Sequence, residues 1–102
     1  AIFFAPAIFF EQHGFRTWLE LRREKFDEVV EESRVCILFY YWRNKWKVGA
    51  HFVALHKTDR GIFGYNTYNN SKGPDDWTES IDGFLREEKY FAPVLIGIRD
   101  KR

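Results

Sequence analysis

The residues of this chain that could do chemistry together are a histidine and an asparagine, His51 and Asn66. His51 lies near the start of one apolar segment, Asn66 lies near the end of the next, and the turn sequence KTDRG separates the two segments. An amide oxygen beside an imidazole can accept the Nδ1 proton, which fixes the tautomer and leaves Nε2 free to take a proton from a nucleophile. The same spacing is also typical of a polar pair at a sheet end, with each residue bonded locally.

The length of the turn decides whether His51 and Asn66 share a face. With two or four loop residues, Val53 pairs with Asn66, and His51 lies two residues from Val53 on the same side. The two side chains are then diagonal neighbours on strands whose residues lie roughly 7–8 Å apart. A three-residue loop would move Asn66 to the other face. We expect the even loop, because Asp-Arg-Gly suits a tight reversal.

The segments around this pair predict an α+β domain that occupies residues 1–102. RVCILFYYW indicates a strand that is buried on both faces, and Asp76 with Glu79 resembles a capping box that opens a helix. We predict a mainly antiparallel sheet of about four strands with two amphipathic helices. The predicted parts are an apolar segment 1–14, a helix 15–33 or two short helices that meet near Arg23, three strands within 34–70, a helix 76–89 and a closing strand 92–98.

The helix over residues 15–33 is predicted from the spacing of its apolar residues. They recur at intervals of three and four and so fit one helical stripe. These residues are Phe15, Trp18, Leu19, Phe26, Val29 and Val30.

Composition and charge exclude several classes of function. The formal net charge of +1 argues against a domain that coats nucleic acid. The single cysteine excludes an internal disulfide and favours a reducing, cytoplasmic compartment without fixing it. The three histidines have no spacing that gathers them, and no glycine-rich phosphate loop is present. We therefore predict neither a metal site nor a cofactor.

The opening AIFFAPAIFF is too short to span a bilayer, which needs about 20 apolar residues. It predicts a buried strand or a turn of helix. Alternatively, it packs on a preceding segment, so that the chain pairs with a missing N-terminal half. An exposed apolar segment would also favour self-association.

From Lys25 to Ile98 the sequence resembles the C-terminal half of a papain-like cysteine peptidase, nearest to the bacterial family that cleaves double-glycine leaders from bacteriocin precursors. The matching parts are a helix before an apolar strand (FDEVVEESRVCILFYY), a Gly-Ala-His-aromatic stretch (GAHFVALHK), a strand closing on a polar residue (RGIFGYNTYNN), and the segment WTESIDGFL. The resemblance implies peptide-bond hydrolysis, with His51 as the general base and Asn66 as the residue that orients it.

The nucleophile of that family is missing from its expected place. The family has a cysteine at the head of an N-terminal helix, a few residues after an oxyanion-hole glutamine. Here Gln12 can stand for the glutamine, but no cysteine follows it, and Trp18 occupies the corresponding region. Cys36 cannot replace it, since pairing with Leu55 or His56 would leave it about 15 Å from His51, in an apolar strand that raises a thiol pKa.

Two interpretations of the function follow. In the first, the chain belongs to a longer enzyme whose cysteine lies outside it, and the isolated chain is inactive. In the second, it is a catalytically silent relative that binds a peptide or protein. Under the resemblance, Trp42, Trp46 and Tyr68 would line the substrate groove. The interleaved aromatic and basic residues of YYWRNKWK suit single-stranded nucleic acid or a peptide backbone. In a nearly neutral chain they are more typical of a hairpin tip whose aromatic residues pack on the sheet and whose lysines are solvated.

Overall fold

A computed structural model describes residues 4–66, 76–85 and 90–101 of the chain. Within these residues a mainly antiparallel sheet carries two short α-helices, which confirms the α+β class. The sheet has six strands rather than about four. The elements are α1 (Phe4–Gln12), β1 (Phe15–Glu20), a 3₁₀ turn (Arg23–Lys25), α2 (Phe26–Glu31), β2 (Val35–Arg43), β3 (Val48–Thr58), β4 (Gly61–Asn66), β5 (Asp76–Thr78), a second 3₁₀ turn (Ile81–Gly83) and β6 (Tyr90–Lys101).

The last strand occupies the interior of the sheet. The strand order is β1-β6-β2-β3-β4-β5, and every neighbouring pair is antiparallel. The predicted closing strand is thus confirmed, but β6 is longer than predicted and lies between β1 and β2. Residues 94–98 of β6 are all buried, because strands flank them on both sides and apolar side chains cover both faces.

The two faces of the sheet carry separate cores. The first, which we call the α2 face, packs against α2 and the second 3₁₀ turn. The second, which we call the α1 face, packs against α1 near β1 and β6. The α2 face includes Cys36, Leu38, Tyr40, Val53, Leu55, Ile62 and Leu95, and the α1 face includes Phe39, Val94, Ile96 and Ile98.

The central strands have the predicted register. Thr58 pairs with Gly61, His56 with Phe63 and Val53 with Asn66, so the β3–β4 turn has two loop residues. Gly61 has a φ of +135°, a backbone conformation that residues with a side chain rarely adopt. Leu38 and Phe39 point to opposite faces and are both fully buried, which confirms that β2 is covered on two sides.

The predicted helix over residues 15–33 is wrong in its first part. Phe15–Glu20 is the edge strand β1, and only the 3₁₀ turn and α2 are helical. Phe15 and Leu19 contact the α1-face core, whereas Trp18 contacts the α2-face core. Because a strand with apolar residues on both faces can reproduce spacings of three and four, the pattern imitated a helical stripe.

The predicted helix over residues 76–89 is wrong for the residues that the structure describes; residues 86–89 lie outside them. Asp76–Thr78 pairs with β4 instead, and the carboxylate of Asp27 accepts a hydrogen bond from the backbone N–H of Ile81 at 3.2 Å. Any side chain at Gly83 would overlap Thr78. Pairing with an open strand edge therefore prevailed over the local capping signal.

The apolar N-terminal segment forms α1 rather than a strand, with residues 1–3 outside the described range. The carboxylate of Glu11 accepts hydrogen bonds from the backbone N–H and hydroxyl of Thr17 at 3.0 and 2.9 Å, which ties α1 to β1. Ile8 and Phe9 remain about half exposed, so the helix is only partly buried. Across the described residues, no helix has the length and apolarity to cross a membrane.

Candidate functional site

The imidazole of His51 lies on the α2 face, inside the sheet rather than at its end. His51 pairs with Tyr40 on β2, and the two rings meet edge to face with centroids 5.8 Å apart. Only 9% of His51 is exposed, and its Nε2 atom is buried. In this structure Nε2 of His51, the nitrogen that would have to act as the base, is therefore not presented to solvent.

Asn66 occupies the position that the two-residue turn predicts. Its backbone pairs with Val53, which is two residues from His51 on β3. Residues two apart on a strand share a face, so the Asn66 position and His51 lie on the same side of the sheet as diagonal neighbours. This register is the geometric condition for an imidazole–carboxamide pair.

A β-bulge lies directly across β2 from His51. Phe39 pairs with Val94 and Tyr41 pairs with Phe91, so Ala92 and Pro93 both lie opposite Tyr40. Ala92 has a φ of 50°, unusual for a residue other than glycine. The bulge explains how a proline fits into an interior strand. Such irregularities occur often beside functional sites, where they re-aim a side chain.

Cys36 is confirmed as a core residue. It pairs with Leu55, four residues along β3 from His51, which separates the two by about 13 Å. The thiol is 2% exposed, and burial raises its pKa to about 11, although a hydrogen bond with Ser33 opposes part of this rise. A nucleophile must lie within about 3 Å of its base and ionise readily, and Cys36 meets neither condition.

The structure does not bring Gln12 to His51. Gln12 ends α1, which packs on the α1 face beside β1 and β6, whereas His51 lies on the other face of β3. The proposed oxyanion role of Gln12 therefore has no geometric support within this chain.

The predicted groove residues differ in exposure. Trp42 is partly buried against the α2-face core, and its ring lies over Gly49. Trp46 is 85% exposed at the turn between β2 and β3. Their role as groove residues stays a prediction, and Tyr68 lies outside the described residues.

Tyr40 and the bulge are the parts of this site that sequence reasoning missed. In the sequence, Tyr40 is one of several aromatic residues in a predicted buried strand. The residues around it do not indicate that it contacts His51. The Ala-Pro pair at 92–93 was the available signal, since a proline within an apolar β run indicates an edge or a bulge.

Comparisons with known proteins do not identify the chain. No protein-family model matches the sequence, and no curated protein or solved structure is significantly similar to it. In the part of the chain that the structure describes, no group of three His, Cys, Asp or Glu side chains could hold a metal ion. The papain-like resemblance therefore stays a prediction.

Proposed function

We propose that the chain is a cysteine-peptidase-like domain that supplies the base of a Cys–His–Asn site. His51 is the general base and Asn66 orients it, while the nucleophilic cysteine comes from a segment outside residues 1–102. The observation that carries the proposal is the pairing of Val53 with Asn66, which gives His51 and Asn66 one face. Cys36 does not take part, because it is buried four residues along the sheet.

The proposed reaction hydrolyses a peptide bond. The supplied thiol gives its proton to Nε2 of His51, and the thiolate bonds to the peptide carbonyl carbon. The imidazolium passes this proton to the leaving amine, and an acyl-enzyme remains. Water then gives a proton to the same imidazole, attacks the acyl carbon and releases the acid, and the thiol is restored. The side-chain oxygen of Asn66 accepts a hydrogen bond from Nδ1–H, so that the neutral imidazole carries its lone pair on Nε2.

The burial of His51 adds a condition to this proposal. An imidazole that is 9% exposed cannot serve a substrate from solvent, so the segment that carries the thiol must displace part of its cover. Tyr40 and the bulge at Ala92 and Pro93 are the adjacent groups that could rearrange. We therefore expect no thiol-dependent peptidase activity from residues 1–102 alone.

The direct test uses the protein translated with whatever coding sequence precedes the codon of Ala1. We expect it to cleave a peptide panel, to lose that activity in His51→Ala, and to keep it in the matched control Cys36→Ser. Activity that survives His51→Ala would refute the proposal. A start codon immediately before Ala1 would overturn an N-terminal source for the thiol, which is the source that the resemblance implies.

A second test asks whether His51 can act as a base at all, by placing a thiol opposite it. In a Cys36→Ala background, Tyr40→Cys puts a thiol across from His51, and Leu38→Cys puts one across from Val53. We expect the Tyr40→Cys thiol to have a pKa about one unit or more below that of Leu38→Cys, measured by thiolate absorbance. Adding His51→Gln must abolish the difference. If the difference persists, burial rather than the imidazole causes it.

The burial of His51 also favours a second candidate, a catalytically silent module that binds a peptide or a partner protein. In this case the imidazole is a core group, and His51→Gln would leave partner binding intact. The longer protein would then show no peptidase activity in any variant.

A further inference from the structure

The turn between β2 and β3, which we call the hairpin tip (residues 43–48), concentrates positive charge. No Asp or Glu occurs from Ser33 to Thr58, although the chain contains 15 acidic residues. The same span holds five basic residues, and three of them, Arg43, Lys45 and Lys47, belong to the hairpin tip. The tip is therefore a cationic region of a nearly neutral chain.

The hairpin tip also exposes large apolar side chains. Trp46 is 85% exposed and Val48 is 68% exposed, and these are the highest values among the exposed large apolar residues that the structure describes. The ammonium of Lys45 lies 5.7 Å from the centre of the Trp46 ring. An exposed tryptophan between two lysines combines an amphipathic ring with flanking charge, a combination typical of membrane interfaces.

Local hydrogen bonds hold the hairpin tip in this shape. The side-chain oxygen of Asn44 accepts the backbone N–H of Trp46 at 3.3 Å and that of Lys47 at 3.1 Å, and the N–H of Asn44 donates to the carbonyl of Lys47 at 2.9 Å. These hydrogen bonds hold Trp46 in its exposed position. Binding through Trp46 therefore requires little further ordering of the turn.

The charges of the hairpin tip are not neutralised by any carboxylate that the structure describes. Throughout residues 4–66, 76–85 and 90–101, no carboxylate forms an ion pair with Arg43, Lys45 or Lys47. β2 pairs with β6 only as far as Trp42, and Arg43 with Val48 is the last pair between β2 and β3, so among the described strands residues 44–47 extend beyond the sheet. The result is a convex, positively charged projection.

We propose that the hairpin tip docks the protein on an anionic membrane surface, with Trp46 inserted at the lipid interface. Each Lys or Arg near such a surface contributes attraction to acidic headgroups, and the tryptophan ring adds interfacial burial. A convex projection fits a deformable lipid surface, whereas a peptide ligand needs a concave site to bury its side chains. The inference does not depend on whether the His51 site is catalytic.

The test measures sedimentation of the full 102-residue chain with vesicles of phosphatidylcholine alone or mixed with phosphatidylglycerol. We expect binding to the mixed vesicles only, and Lys45→Glu with Lys47→Glu should weaken it about tenfold or more. The matched control is Arg16→Glu with Arg60→Glu, which changes the net charge equally at two exposed residues away from the hairpin tip. This control should retain most of the binding.

Brominated lipids give the second readout, because they quench only tryptophans that enter the acyl region. We expect quenching in the natural chain and little in Trp46→Phe, which should fold because residue 46 is exposed. Equal loss of binding in both charge-reversed pairs would overturn the proposal, as would binding without Trp46-dependent quenching. Absence of vesicle binding, or tighter binding to polyglutamate than to vesicles, would overturn it as well.

Discussion

The two ends of the β2–β3 pair hold the thiol of Cys36 and the imidazole of His51 in different surroundings. At the thiol end, Cys36 and Leu55 pair within the core that α2 covers, and they are 2% and 1% exposed. At the imidazole end, His51 lies against the ring of Tyr40, and the bulge of β6 follows on the other side of that tyrosine. The thiol end is closely packed under α2. At the imidazole end, the rings of His51 and Tyr40 contact each other beside the bulge of β6.

This difference indicates which end can do chemistry. Ionisation at the thiol end is opposed by burial, and a substrate would have to displace α2 to reach it. The imidazole end has its polar partner position on the same face and a bulge nearby. A site of the kind proposed above would therefore centre on His51, whereas Cys36 belongs to the core.

The largest expected effect is the loss of packing at the thiol end. Phe26 is 1% exposed and belongs to the same core as Cys36. Phe26→Ala should lower the free energy of unfolding by about 3–5 kcal/mol, measured by urea denaturation, because a large cavity remains. Trp46→Ala, at the exposed hairpin tip, should change it by less than about 0.5 kcal/mol. Similar losses in both variants would contradict the assignment of the core.

A methyl group added at each end should lower the free energy of unfolding by unequal amounts. At the thiol end, a Cβ on Gly97 would overlap the Ser33 hydroxyl and lie 2.8 Å from Cγ1 of Val29, so Gly97→Ala should cost about 1–3 kcal/mol. At the imidazole end, the three atoms nearest to a Cβ on Gly49 would all belong to the ring of Trp42, which is partly exposed and can rotate. Gly49→Ala should therefore cost less. Thermal unfolding compares the two, and the reverse order would show that the imidazole end is the more tightly packed.

Alkaline pH should lower the free energy of unfolding through the Cys36 thiol. The thiol pKa rises from 9.0 to about 11 in the folded chain, so between these values the unfolded chain has lost a proton that the folded chain keeps. Stability must then fall as pH rises, by up to about 1.4 kcal/mol per pH unit. The quantity to measure is the difference in unfolding free energy between the natural chain and Cys36→Ala from pH 8 to 11. A pH-independent difference would mean that the thiol is not desolvated.

The parts of the fold that the sequence predicted are those fixed by local chemistry. The Lys57–Gly61 turn set the register of β3 and β4, and the apolar run 34–42 gave a strand buried on both faces. The pairing of Cys36 with Leu55 followed from the same hairpin geometry. These features depend on turn residues and on side-chain alternation, and both are visible in a short window.

The parts that the sequence did not predict depend on how strands pair in the finished sheet. β1 is a strand because β6, at the other end of the chain, pairs with it, and β5 is a strand because the preceding strand β4 offers it an edge. The burial of His51 beside Tyr40 depends on the packing of several strands, and so does the different exposure of Trp42 and Trp46. Local patterns cannot show which side chains the finished sheet will cover.

The most direct measurement of the central claim is the tautomer of the His51 imidazole, read from its nitrogen chemical shifts by NMR. The two other histidines serve as internal references for the Nδ1–H form. Nδ1 of His13 and Nδ1 of His56 lie 2.8 and 3.2 Å from backbone carbonyl oxygens, which can only accept hydrogen bonds. We predict that His51 also carries its proton on Nδ1, and that Asn66→Leu shifts the population toward the Nε2–H form. A proton on Nε2 in the natural chain, or no response to Asn66→Leu, would contradict the pairing of His51 with Asn66.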